Sequence, residues 1–248
     1  MAFRKICLAE VDSTNLWLQR QADAGEDVCV VARRQTAGKG QGSNSWESEP
    51  DKNLTFSLLT HPVGVGASEQ YLLSMAIAVA VRDAVASVSP VDGEYTIKWP
   101  NDIYWRDCKL GGILIACALQ GRHIRRCITG VGLNVCQRRF LSDAPNPVSL
   151  CQTGCDARTA SELLASGRLL DDILHRYDLA LAAPEETRAA YRRRLYRREG
   201  LHPYKDIHGP FMAETVDVED GGALLLRDSC GRVRRYAFKE VQFVLPRR

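Results

Sequence analysis

The chain has 248 residues, 45% of them apolar and 25% charged, with a formal net charge of +3. That length suits one large domain and a small one, and the composition is that of a globular chain rather than a disordered or fibrous one. No run approaches the ~20 uncharged apolar residues of a membrane helix, Arg4, Lys5 and Glu10 break the N-terminal run where a signal peptide would stay apolar, and the charge is too small to make nucleic acid the main partner.

In chain order, residues 3–9 read as a strand, and Asp12 or Ser13 as the N-cap of a helix through Leu16, Trp17 and Leu18 to about residue 24, with Gly25 at C′. Residues 28–32 form a short buried strand. Residues 36–47, with three closely spaced glycines, form a mobile loop. Residues 53–60 alternate as a strand with Leu54, Phe56 and Leu58 on one face. The Ala- and Leu-rich stretch 67–88, between Gly66 and Pro90, is a helix buried on two faces. Three strands follow at 95–99, 109–119 and 123–135, the last two joined by a Gly121-Arg122 turn. Two helices are expected at 159–182 and 184–198, the second with Pro184 at N1. After a break at 200–210, strands at 211–218, 223–228 and 233–238 make a small all-β unit of about forty residues, near the lower limit for independent folding. The domain division is therefore 1–200 and 201–248.

No internal repeat is present. Nine cysteines, an odd number at irregular spacing, fit a reducing compartment, so a cytoplasmic location is expected. Cys151 and Cys155 lack a second Cys or His pair at zinc spacing and read as ordinary residues; no metal site is expected.

Four segments carry candidate chemistry. Gly38-Lys39-Gly40-Gln41-Gly42-Ser43-Asn44-Ser45-Trp46 could wrap an anion with backbone N–H groups, Lys39 adding charge. It matches neither a Walker loop nor a dinucleotide fingerprint. A flexible surface loop would explain the glycines, but not a large aromatic at its end. Lys98-Trp99-Pro100-Asn101-Asp102, followed by Lys109-Leu110-Gly111-Gly112, gathers charged groups at strand ends; ion pairs across a hairpin are the plain explanation. Glycines inside a strand, however, mark close approach of a ligand or backbone. Gly130-Val131-Gly132-Leu133-Asn134 repeats that theme. Asp12-Ser13-Thr14-Asn15 sits at a strand-to-helix junction, where capping alone would account for it.

Together and in this order, these segments resemble the biotin protein ligase family over nearly the whole chain, including Arg235 to Val241 near the C-terminus. The resemblance implies an α+β fold: a mixed β-sheet backed by helices, of the class II synthetase-like biotin/lipoate ligase type, with a small C-terminal SH3-like β-barrel. With Asp12 so near the start, it points to the ligase-only type without an N-terminal repressor domain. The implied activity joins biotin to ATP as biotinyl-5′-AMP, with Mg²⁺, then transfers biotin to a lysine of a biotin carboxyl carrier protein or domain of a biotin-dependent carboxylase.

By the same resemblance, Lys109 meets the biotin carboxyl and the α-phosphate, and Lys39 belongs to the loop closing over biotin's carboxyl end. Ser13, Thr14 and Gln35 hold the ureido ring, with Asn15, Gly38, Gly40 and Gln41 beside them. Gly112 lets the ring approach the strand. Trp46 covers adenine, while Asn101 and Asn134 flank the adenylate. Only about one free lysine in 2,500 is neutral at pH 7, so Asp102 either assists deprotonation of the carrier lysine or orients Lys109. Gln41 departs from the family pattern, where a second basic residue is common; Lys39 alone, Arg33 or Arg34 could compensate.

Two rivals remain open: a lipoate or octanoate attachment enzyme of the same fold, and a nucleic-acid-binding module using Tyr191-Arg192-Arg193-Arg194-Leu195-Tyr196-Arg197-Arg198. In the latter, the near-helical spacing of Tyr, Leu and Tyr instead makes the arginines a solvated face. No membrane partner is expected. A free sheet edge could pair with a second subunit, making a homodimer, or with the carrier domain.

Overall fold

A computed structural model describes residues 3–21, 25–89, 94–142, 144 and 146–246. Seven strands form one mixed sheet: β1 (Arg4–Val11), β2 (Val28–Gln35), β3 (Asn53–Thr60), β4 (Tyr95–Lys98), β5 (Asp102–Trp105), β6 (Cys108–Gln120) and β7 (His123–Asn134). Their order is β1-β2-β3-β7-β6-β5-β4; β1 and β2 run parallel and the other neighbours antiparallel. Among the described residues, no helix is long and apolar enough to cross a membrane.

Helix α1 (Thr14–Arg20) covers one face of this sheet and α2 (Tyr71–Ser87) the other. Successive strand residues point to opposite faces. Accordingly Leu18 packs with Val28, Val30, Leu59 and Ile128, whereas Cys29, Leu54, Phe56 and Leu58 belong to the main core with α2. Strand β3, with Leu54, Phe56 and Leu58 on one face as expected, is buried on both. The main core extends through α3 (Ala157–Ala165), α4 (Arg168–Ala182) and α5 (Pro184–Arg193).

Several expected elements need correction. Helix α1 ends at Arg20, with Gln21 already extended; residues 22–24 of the expected helix lie outside the described residues, as does Pro90. Gly25 has a left-handed φ of 72°, but with the helix closed at Gln21 it is not the C′ residue expected. Strand β5 was not expected, because its four residues follow directly on the Pro100 turn. The expected helix 159–182 is two helices, broken where Gly167 adopts φ 75°. Helix α5 stops at Arg193, and the remaining Tyr and Leu side chains of its basic run still turn inward. The arginines there form no continuous solvated face: only Arg193 and Arg198 are exposed. Arg192 pairs with Asp217 and Asp220, Arg194 with Asp83, and Arg197 is buried.

Beyond α5 lies a second, antiparallel sheet of five strands: β8 (His202–Asp206), β9 (Gly209–Val218), β10 (Leu224–Asp228), β11 (Val233–Tyr236) and β12 (Gln242–Phe243). Strand β8 falls inside the Gly-, Pro- and His-rich break expected to be a loop. The order β11-β10-β9-β8-β12 leaves β11 and β12 unpaired with each other, so the sheet is open rather than a closed barrel. Trp99 joins the two sheets, donating its indole N–H to the Gly222 carbonyl at 2.9 Å and packing edge-on against Phe238.

Candidate active site

The strand register builds the site. Lys98, Asp102, Gly112, Gly132 and Thr55 are successive cross-strand partners in one row over β4, β5, β6, β7 and β3. Directly opposed residues share a face, so the row lies on the α1 side of the sheet. Lys109 joins that face because Leu110 is an extra residue in β6: Tyr104 pairs with Lys109 but Ile103 with Gly111. Without this bulge Lys109 and Gly112 would point to opposite faces.

The glycines of the row, and Gly130 two residues before Gly132 on the same face of β7, make room for side chains. A methyl group at Gly132 would overlap the Trp46 indole, and one at Gly130 would overlap the Asn15 amide. At Gly112 it would touch Trp46 and the Lys109 ammonium at 3.4–3.5 Å. The expected close approach is therefore made, in this structure, by the protein's own Trp46 and Asn15.

The resulting cavity, of about 330 Å³, gathers Ser13, Thr14, Asn15, Gln35, Lys39, Gly40, Gln41, Trp46, Asn101, Asp102, Lys109 and Gly112. At one end the polar groups are locked together. The backbone N–H and hydroxyl of Thr14 both donate to Gln35 Oε1, at 2.8 and 3.1 Å, and Ser57 Oγ lies within hydrogen-bond distance of both Thr14 Oγ1 (2.7 Å) and Asn15 Oδ1, its single proton serving one of them. Ser13 caps α1 by position only, its side chain making no cap hydrogen bond. At the other end, Lys109 Nζ lies 2.7 Å from Asp102 Oδ1 and 5.9 Å from the centre of the Trp46 ring.

Trp46 also walls a second cavity of about 450 Å³, shared with Lys109, Asn134, Phe140, Leu141 and Pro147. Here Asn134 is buried; its Nδ2 donates to the Val148 carbonyl at 3.1 Å, and its Oδ1 has no partner among the described residues. Glu47, beside Trp46, accepts from the backbone N–H groups of Leu141 (2.9 Å) and Ser142 (2.7 Å), fastening the end of the glycine-rich loop to this wall. Desolvation raises its pKa, but these hydrogen bonds outweigh it and hold the carboxyl below its ordinary value.

Not every expected residue converges. Gly38 is buried under Trp46 at the loop base and does not line the first cavity. Asn101 and Asn134 do not share a cavity, and the Asn101 amide is occupied by the Ile113 carbonyl. Arg33 and Arg34 pair with Asp51 and Glu10 and line neither cavity. Instead Lys239 lines the first cavity, its ammonium 3.3 Å from where a Gly42 side chain would begin. Lys239, Phe238, Ser57 and Glu47 were missed by sequence reasoning. Phe238 and Lys239 lie within residues 235–241 and Glu47 ends the glycine-rich loop, but neither segment gave them a role; Ser57 offered only a hydroxyl on a strand whose other face is Leu and Phe.

The profile of the biotin/lipoate A/B protein ligase family matches residues 7–134, just over half of the chain. The chain belongs to that family. The biotin–[acetyl-CoA-carboxylase] ligase of Mycobacterium tuberculosis is 36% identical over 165 residues, 63% of this chain and 60% of that protein. The chain thus spans about three fifths of the length of that relative. The fold is similar to the biotin protein ligase of Aquifex aeolicus in complex with biotin and ATP, at TM-score 0.75 and 21% identity over 98% of this chain and 99% of the other. The Leishmania major ligase in complex with biotinyl-5-AMP gives TM-score 0.62 at 24% identity, over 94% and 98% of the two chains.

Proposed function

We propose that this chain is an ATP-dependent biotin protein ligase that transfers biotin to a lysine of a carrier domain. The observation that carries this reading is the Lys109–Asp102 pair where two cavities meet on either side of Trp46. The first cavity is closed at its far end by hydroxyl and amide groups, as a ureido ring with both donors and an acceptor requires. Ser13, Thr14, Asn15 and Gln35 would hold it there. Asn134 Oδ1, a buried acceptor without a donor among the described residues, fits the exocyclic amine of adenine in the second cavity, with Trp46 against the base. Biotin's carboxylate and the α-phosphate then meet at Lys109.

In the first step a carboxylate oxygen attacks the α-phosphorus and pyrophosphate leaves. In the second, the carrier amine in its neutral form attacks the acyl carbon, the bond to the phosphate oxygen breaks, AMP leaves, and the proton lost by the nitrogen passes to solvent. Both steps concentrate negative charge, which the Lys109 ammonium, held in place by Asp102, stabilises. Asp102 thus orients Lys109, and Lys39 with the loop N–H groups covers the phosphate. Among the described residues no three His, Cys, Asp or Glu side chains cluster as metal ligands, so Mg²⁺ would arrive on the nucleotide's phosphates. Residues 201–248, with their open sheet, act as the small C-terminal SH3-like domain packed on the catalytic unit of residues 1–200. A mass spectrum of a biotin carboxyl carrier domain after incubation with enzyme, biotin and MgATP should show one added biotinyl group on lysine; an unmodified carrier counts against the assignment.

A further inference from the structure

Asp102 carries two lysines, not one. Lys98 lies directly across from it in the β4–β5 ladder, with Nζ 3.8 Å from Oδ2, while Lys109 Nζ is 2.7 Å from Oδ1. The Lys98 side chain is only 16% exposed, and its ammonium makes no hydrogen bond among the described residues. It lines the first cavity and is roofed by aromatic rings, its Nζ 5.4 Å from the centre of Tyr104 and 4.6 Å from that of Phe243 on β12. Burial lowers its pKa; Asp102 opposes the shift, and Lys109 and Arg197 add to it. The groups facing it are thus Asp102 and Tyr104 from β5, Lys109 from β6, Arg197 from the segment before β8, and Phe243 from β12. The Tyr104 phenol, pushed far up by burial, stays neutral.

A buried ammonium with a single long ion pair is poor stabilisation: a methionine would fill the same space without the desolvation cost. Its effect on charge is different. Asp102 alone would neutralise Lys109, leaving little field for an incoming carboxylate and phosphate. With Lys98 on the second oxygen, the three groups keep one net positive charge, and the carboxylate is held at both ends.

Resting on the ligase reading, we infer that Lys98 is a positioning residue for adenylate formation: it fixes Asp102 through Oδ2, so that Oδ1 aims Lys109 at the reacting oxygens. Phe243 makes the C-terminal sheet part of this arrangement.

The test is biotin-dependent ATP–pyrophosphate exchange by the full chain, comparing wild type, Lys98→Met and Lys98→Arg. Lys98→Met should lower kcat about tenfold, leave KM for biotin nearly unchanged, and not lower the melting temperature. Lys98→Arg should restore most of the rate at pH 7. It should also move the alkaline limb of the pH–rate profile upward, because a guanidinium keeps its proton where Lys98, with its lowered pKa, loses it. Wild-type kcat in Lys98→Met overturns the inference, as does an unmoved alkaline limb in Lys98→Arg. Parallel loss of rate and melting temperature in both variants marks a merely structural lysine and also overturns it. No exchange in wild type instead refutes the ligase reading itself.

Discussion

Replacing Gly132 by alanine tests how the glycine row builds the proposed nucleotide side of the site. Gly132 is held in mid-sheet, paired with Thr55 on β3 and Gly112 on β6, so its backbone has little freedom to retreat. The new methyl would fall within the Trp46 ring, and the indole must leave. A tryptophan of this kind buries about 150–250 Å² when covered. Losing roughly half of that, at about 25 cal/mol per Å², forfeits about 2–3 kcal/mol. That bias should raise KM for ATP by about thirtyfold or more, since the base loses the wall between the two cavities. Gly130→Ala supplies the contrast, because its methyl displaces Asn15 and should weaken biotin binding more than ATP binding. Pyrophosphate-exchange kinetics with each substrate varied in turn distinguish the two variants. A Gly132→Ala enzyme with wild-type KM for ATP would refute the proposed place of Trp46.

Lys109→Ala should reduce adenylate formation about 10²-fold or more, as loss of an oxyanion-type donor does; near-normal pyrophosphate release would remove Lys109 from the chemistry. In the glycine-rich loop, residues 42–45 are exposed and the base is tied by the Trp46 N–H to the Gly38 carbonyl, at 2.9 Å. Biotin with ATP should therefore suppress proteolysis within residues 36–47, and equal cleavage with and without them argues against closure. Gln41→Arg, adding a charge-assisted contact beside Lys39 and Lys239, should slow release of biotinyl-adenylate about tenfold in the absence of carrier; an unchanged dissociation rate leaves Gln41 an ordinary loop residue.

The sheet was legible where pattern and length agreed. β3, β6 and β7 carry long apolar or alternating runs, and the Gly121-Arg122 turn fixes the hairpin between the last two. Four-residue β5 was not, because a strand too short to show alternation is defined only by its partners. Strand β8 was hidden by His202 and Pro203, whose composition suggests a loop although β9 and β12 pair on either side. The helical period of residues 159–182 outweighed Gly167, which in fact takes a left-handed conformation and starts a new helix.

At the site, sequence pattern located Lys109, Asp102, Trp46 and the glycines because each lies in a dense local motif. It could not show that Lys239, though within the 235–241 segment, meets a loop far back along the chain, nor the role of Ser57, which exists only once β3 and α1 are packed together. Nor could it separate Asn101 from Asn134, since cavity membership depends on register rather than residue type.

The family as a whole includes both biotin and lipoate attachment enzymes, so substrate choice is the decisive question. ATP–pyrophosphate exchange measured side by side with biotin, lipoate and octanoate answers it directly. The locked Thr14–Gln35–Ser57 end of the cavity predicts exchange with biotin and none above background with the two fatty acids. Exchange driven by lipoate or octanoate, with biotin inactive, would contradict the biotin ligase assignment.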